Sequence, residues 1–223
     1  MSGISFRDLK PLDRYKLLCG VVVPRPIAFV TTLDENGKVN AAPFSFFNVF
    51  SEDPPLIVLG LQHKPDRSPK DTTRNIHRSG QFVVHMVDEA LAAAMNDCAV
   101  DFPSGDSEVD ATGLSTLPSI DVAVPRLAAA PFALECRQHT ALVFGPGREL
   151  LVGEVLRLHA RDGLIDEARM HVDLDVYRPI GRLFGDLYAA QRDTFALTRE
   201  NHAQWLARVK GGNSSDEPAD EGQ

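Results

Sequence analysis

The sequence predicts a mainly β fold with added helices, arranged as a small antiparallel barrel. Three observations lead there. Short runs of β-branched and aromatic residues alternate with turn signals. Two long apolar-polar runs, "FALECRQHTALVF" and "ELLVGEVLRLHA", flank "GPGR" as a hairpin. Strands do not alternate regularly with helices, and no GxGxxG follows a strand, which argues against a dinucleotide-binding α/β sheet.

Taken in order, "PIAFVTTLD" is a strand running into the turn "DENG", and "KVNAA" returns as its partner. "LIVLGL" is a continuous apolar run, as in a buried strand. "DTTRNIHRSG" is a short helix with Asp71 as N-cap and Gly80 just past its end. "QFVVHMV" is a further strand. "DEALAAAMNDCAV" is a helix with acids at its start and Ala, Leu and Met at helical spacing. Residues 101–125, rich in Ser, Asp, Gly and Pro, form a long excursion with room for one helical turn. A short helix follows near Thr194–Ala207. The expected organisation is an extension over 1–11, one domain over 12–207 and a disordered acidic tail over 208–223, whose "GGNSSDEPADEGQ" cannot bury apolar surface.

Composition narrows the function. A net charge of −8 over 223 residues offers no general basic face for nucleic acid or anionic membrane. Cys19, Cys98 and Cys136 are widely spaced without a CxxC, which fits reduced thiols in a cytoplasmic protein. The N-terminus carries charges where a signal peptide needs an apolar run, and no apolar stretch reaches the length of a membrane span. The seven histidines lack metal-ligand spacing, and Ser45 in "PFSFF" lacks the GxSxG elbow of a hydrolase nucleophile.

Two stretches carry candidate chemistry. "HKPDRSPKDTTRN", residues 63–75, sets Lys64, Arg67, Lys70 and Arg74 against Asp66 and Asp71 in an otherwise acidic protein. With Ser68, Thr72, Thr73 and a helix start it offers every group that holds a phosphate. On composition alone it reads rather as a solvated loop in which Asp71 merely caps a helix, and the Asp71 carboxylate would repel an anion unless it points away. "NAAPFSFFNVFSEDPP", residues 40–55, is apolar, aromatic and interrupted by Pro43. It fits a segment laid against a flat ring, or a core strand with an edge bulge.

Together these stretches resemble a known family. "RPIAFVTTLDENGKVNAAPFSFFNVFSEDPPLIVLG", then "KDTTRNI", "GQFVVHMV", "LLVGEV" and "RPIGRLFGDLY" are similar in order and spacing to the flavin reductase-like, FMN-binding split-barrel proteins, over roughly residues 12–200. The resemblance implies a split β-barrel, a homodimer, and FMN near the subunit interface, with FAD as a possible substitute. It implies that Lys70 and Thr72, with Arg67 beside them, serve the phosphate. It places Thr31 and Thr32 along the flavin, and Pro43, Phe44, Ser45 and Asn48 beside its ring. Arg182 and Tyr188 would approach the flavin or its partner. No catalytic side chain is expected; backbone around Pro43, Phe44 and Ser45 would serve flavin N5.

Three functions follow from the resemblance. One is an NAD(P)H-dependent flavin reductase, passing a hydride to flavin N5 and supplying reduced FMN to a partner monooxygenase. The others are a flavoredoxin-like carrier that holds FMN tightly, and a non-catalytic flavin-binding dimer. A pyridoxamine-phosphate oxidase-like enzyme would need a second basic phosphate site that the sequence does not offer. NADH and NADPH are not distinguished.

Overall fold

The computed structural model describes residues 3–145 and 147–212. Pro146 of the "GPGR" connection and residues 213–223 of the expected tail lie outside them. The elements run α1 (Pro11–Val21), β1 (Ala28–Leu33), β2 (Val39–Phe44), β3 (Phe47–Glu52), β4 (Pro55–Gln62), α2 (Asp71–Ser79), β5 (Gln81–Met86), α3 (Ala92–Asp97), α4 (Glu108–Thr112), β6 (Thr116–Leu117), β7 (Arg126–Leu127), β8 (Phe132–Val143), β9 (Arg148–Ala160), β10 (Ile165–Asp166), β11 (His171–Val172), β12 (Ile180–Arg182), β13 (Tyr188–Ala190) and α5 (His202–Gly212). Among the described residues, no helix is long and apolar enough to cross a membrane.

Seven strands form one sheet in the order β2-β1-β5-β8-β9-β4-β3, and every pairing is antiparallel. Its two edge strands are consecutive in the chain, separated only by Ser45 and Phe46. The sheet must therefore curl until its edges approach, which is barrel closure. The Gly60 N–H donates to the Phe46 carbonyl at this crossing, and a Cβ at Gly60 would lie 2.9 Å from Phe46 Cβ.

Side-chain alternation separates two cores. Ala28 and Val30 of β1, Phe82 and Val84 of β5, and Ile57, Leu59 and Leu61 of β4 share one buried cluster with Ile76 of α2. Phe29, on the opposite face of β1, belongs to a second cluster with Ala41, Met95 and Val109. Both faces of β1 are thus covered, which is why "AFVTT" is buried throughout.

Several expectations are corrected in detail. Within 40–55, Phe47–Glu52 form β3, a strand with a register shift between Val49 and Ser51, as in the bulged-strand alternative, but at the sheet's edge and mostly exposed rather than in the core. The helix expected over 88–100 is confined to Ala92–Asp97. Asp88 instead accepts the Leu91 N–H at 3.1 Å and pairs with Arg161 at 2.9 Å, holding a turn. Asp71 is the first residue of α2 rather than its cap; Lys70 occupies the cap position without a side-chain bond. Gly80 ends α2 in the left-handed conformation, at φ 69°.

The excursion 101–125 guards the β2 edge. Its helix α4 sends Ser107 Oγ to the Val39 carbonyl at 2.6 Å, and the Glu108 carboxylate accepts the Ala41 N–H at 2.9 Å. Exposed edge groups are thereby satisfied. The described residues 192–212 belong to a second compact unit, which begins after Gln191. Its helix α5 lies later than the expected Thr194–Ala207 and takes in 208–212, which the sequence had assigned to the tail.

Candidate flavin site

The cationic loop and the Pro43 segment meet. One cavity of about 550 Å3 is lined by Lys64, Lys70 and Thr72, by Asn40 and Ala42–Pro43–Phe44 of β2, and by residues 98–102. That volume lies within the range of small-molecule and cofactor sites. The first N–H groups of a helix have no intrahelical partner, and no side chain caps those of α2. Asp71 does not occupy them: its carboxylate pairs with Arg74, accepts Ser104 Oγ at 3.0 Å and lies 3.9 Å from Lys64 Nζ. An uncapped helix start beside two lysines suits a phosphate.

Thr72 is buried, and its hydroxyl oxygen accepts from Asn40 Nδ2 at 3.0 Å, which leaves the hydroxyl proton to donate. The cavity's remaining acids are engaged. Asp66 accepts from the Ser68 N–H and Oγ at 2.9 and 2.6 Å, and those bonds hold its carboxyl below the usual range despite some desolvation. Asp101 lies 3.9 Å from Lys70 Nζ with a fully exposed side chain, a surface pair worth little. Burial pushes Glu108 up, against the Ala41 N–H that it accepts.

The remaining expected residues are placed elsewhere. Ser45 and Asn48 line a second cavity of about 300 Å3 with Leu18, Val22 and Phe46. There Arg25, itself buried, donates to Ser45 Oγ at 3.4 Å and to the carbonyls of Cys19, Val22 and Leu183. Thr31 and Thr32 are fully buried and line neither of these two cavities. Thr31 Oγ1 donates to the Pro125 carbonyl at 2.9 Å, and Thr32 Oγ1 accepts from Asn75 Nδ2 at 3.0 Å. Both hydroxyls are thus engaged within the barrel wall. Arg67 is exposed, at φ 69°, and lines neither of these two cavities. The Arg182 guanidinium stacks 4.5 Å over the Tyr188 ring, and the Tyr188 hydroxyl bonds Asn96 at 3.2 Å.

The backbone expectation narrows as well. Pro43 has no N–H. Ala41 directs its N–H away from β1, to Glu108. Strand alternation then turns the Phe44 N–H toward β1, and Ser45 lies beyond the end of β2. Asn40, Lys64 and Glu108 were missed as lining residues. Lys64 had been counted only in the loop's charge. Asn40 stood at the start of a quoted motif, and Glu108 reaches the site only through the packing of α4.

Residues 21–181 match the family model described as flavin reductase like domain. The chain belongs to that family. It is 40% identical to 2-nitrobenzoate 2-nitroreductase of Pseudomonas fluorescens, over 90% of this chain and 98% of that one, with a TM-score of 0.84. It is 36% identical to nitrilotriacetate monooxygenase component B of Bacillus cereus, over 88% and 98%, with a TM-score of 0.85. A split-barrel protein of Shewanella frigidimarina, at 18% identity over 89% and 100% of the two chains and a TM-score of 0.76, shares the fold. The curled sheet is thus the split barrel that the sequence resemblance implied.

Proposed function

We propose that this flavin reductase-like protein binds FMN in the 550 Å3 cavity and catalyses NAD(P)H-dependent flavin reduction. The observation that carries the reading is the meeting, in one cavity, of Lys64, Lys70, Thr72 and the uncapped start of α2 with the apolar Ala42–Phe44 wall. Those residues fit a ligand that is anionic at one part and flat and apolar at another.

FMN, when bound, supplies the hydride-accepting chemistry at its N5. The chain's own tasks are then holding and orienting. Lys64 and Lys70 supply point charges for the phosphate, and Thr72, fixed by Asn40, supplies a hydroxyl donor. Pro43 and Phe44 present an apolar wall to the ring. No acid–base pair is needed. A transiently bound nicotinamide explains why the sequence carries no dinucleotide fingerprint.

The similarity to a monooxygenase component B supports delivery of reduced flavin to a separate oxygenase. A second reading is favoured by the 40% identity to a nitroreductase: the flavin is retained, and electrons pass to a small organic acceptor. A homodimer is supported by exposed Tyr15, Leu18 and Phe46, where Tyr15 and Phe46 place their rings 6.5 Å apart. Single helices and strand edges of this kind gain by burial against a second copy.

Lys70→Ala removes a charged hydrogen bond worth about 1.5–3 kcal/mol, so FMN affinity should fall roughly 10- to 150-fold. Flavin-fluorescence titration measures this. Unchanged FMN affinity would remove Lys70 from the phosphate site.

A further inference from the structure

The loop that carries Lys64 and Lys70 is anchored at both flanks to one carboxylate. Glu149, on β9, is buried. Its Oε1 lies 2.5 Å from His63 Nε2, at the loop's start, and its Oε2 lies 2.7 Å from His77 Nε2, on the helix after the loop. The remaining nitrogens distinguish the two rings. His77 Nδ1 is 3.2 Å from Gln138 Oε1, and a side-chain amide can turn to present either its oxygen or its NH2. A neutral His77 is therefore satisfied. His63 Nδ1 is 3.2 Å from the Arg67 carbonyl, which can only accept. His63 thus sits between two acceptors, and only the doubly protonated ring donates to both.

The bond to Arg67 falls at a demanding place. Arg67 is one of two non-glycine residues with positive φ among those described. Its N–H closes a turn onto the Lys64 carbonyl at 2.9 Å, and the Lys64 N–H donates to Ser68 at 2.8 Å. The turn therefore fixes Lys64 directly, and His63 holds it from below. The titratable groups bonded around His63 are Glu149 from β9 and, through the shared carboxylate, His77 from α2; Lys64, Asp66 and Arg67 follow His63 in the loop. Burial raises Glu149, but hydrogen bonds and charge from His77 and His63 outweigh it and leave the carboxylate ionised.

We propose that His63 and Glu149 are positioning residues for the phosphate end of the cofactor site, and that protonation of His63 sets the loop and makes flavin-phosphate affinity depend on pH. The inference rests on the FMN reading above. Lowering the pH charges His63 and completes both bonds, so binding tightens. Raising it leaves one acceptor without a donor, the turn at Arg67 loosens, and Lys64 loses its place.

Two measurements test this. The first needs no flavin: imidazole 15N shifts of the protein near pH 6 should report both His63 nitrogens protonated. A neutral His63 ring there would overturn the proposal. The second compares FMN and riboflavin dissociation constants at about pH 6 and about pH 8.5, for wild type, His63→Gln and Glu149→Gln, with thermal melting as a check on folding. Wild type should lose roughly threefold to tenfold more FMN affinity over this range than either variant, the value of one hydrogen bond. The phosphate's own titration is common to all three and cancels. Riboflavin, lacking the phosphate, should bind with little pH dependence. Equal FMN slopes in wild type and His63→Gln would overturn the clamp while leaving the FMN site intact. Absence of FMN binding at every pH would overturn both.

Discussion

Glu135→Ala should destabilise the fold by about 3–5 kcal/mol, because it strands several hydrogen-bond donors at about 1–3 kcal/mol each. The Glu135 side chain is fully buried on β8. Its carboxylate accepts the N–H groups of Ile120, Asp121 and Val122 at 2.8, 2.5 and 3.1 Å, and faces His159 Nε2 at 2.5 Å. Burial alone would raise its pKa, but His159 and the three N–H groups together hold it below the usual carboxylate range. Truncation would strand three backbone donors and His159 at once. It would also release the segment that ends at Pro125, whose carbonyl holds Thr31 in the barrel wall. Because the folded pKa is depressed, this stabilisation is present above the ordinary carboxylate value and is lost as pH falls through the lower folded one. Urea unfolding at neutral pH measures the loss, and Glu135→Gln, which keeps the shape and one acceptor, should lose less. A Glu135→Ala midpoint matching wild type would show that the 118–124 segment holds without its carboxylate.

His85 should make the fold acid-sensitive in a different window. The ring is fully buried on β5, with Nδ1 2.8 Å from the Phe29 carbonyl and Nε2 accepting the Leu127 N–H at 2.9 Å. One tautomer of the neutral ring satisfies both. A second proton would place N–H against N–H. Burial, opposed by the Phe29 bond and aided by the charge of Arg126, brings its pKa down to about 4. Here the unfolded chain binds the proton more readily than the folded one. The stabilisation is therefore complete above the unfolded value near 6.5 and is lost as pH falls below it, reaching about 3 kcal/mol by pH 4. Carboxylates titrate in the lower part of this range, so the informative quantity is the difference between wild type and His85→Gln. The variant should be less stable at neutral pH, and its stability should fall less steeply between about pH 6.5 and pH 4. Parallel losses in the two proteins would mean that His85 is not held neutral.

The distribution of what the sequence revealed has a physical basis. Strands β1, β2, β4, β5, β8 and β9 were legible because burial imposes apolar patterning on each of them, and turn residues such as "DENG" mark their ends. Strand β3 stayed one of two alternatives because it lies at an edge with Val49 and Phe50 exposed, so its pattern does not report a buried face. The α3 start was overestimated because Asp88 satisfies its neighbours as a turn instead of a cap. At the candidate site, Lys70, Thr72, Pro43 and Phe44 were found together as expected neighbours of one ligand, since the loop and strand motifs are local. Glu108 and the His63–Glu149–His77 cluster depend on contacts between residues 67 or more apart in sequence, a distance over which no spacing rule operates. The partners of Thr31 and Thr32 were illegible for the same reason: polar residues in a strand look available until Pro125 and Asn75 are known to engage them.

Anaerobic mixing of the purified protein with excess FMN and either NADH or NADPH tests the proposed activity most directly. A flavin reductase should bleach the flavin's visible band over many equivalents with at least one of the two nucleotides. FMN that binds but is not bleached by either nucleotide would contradict it.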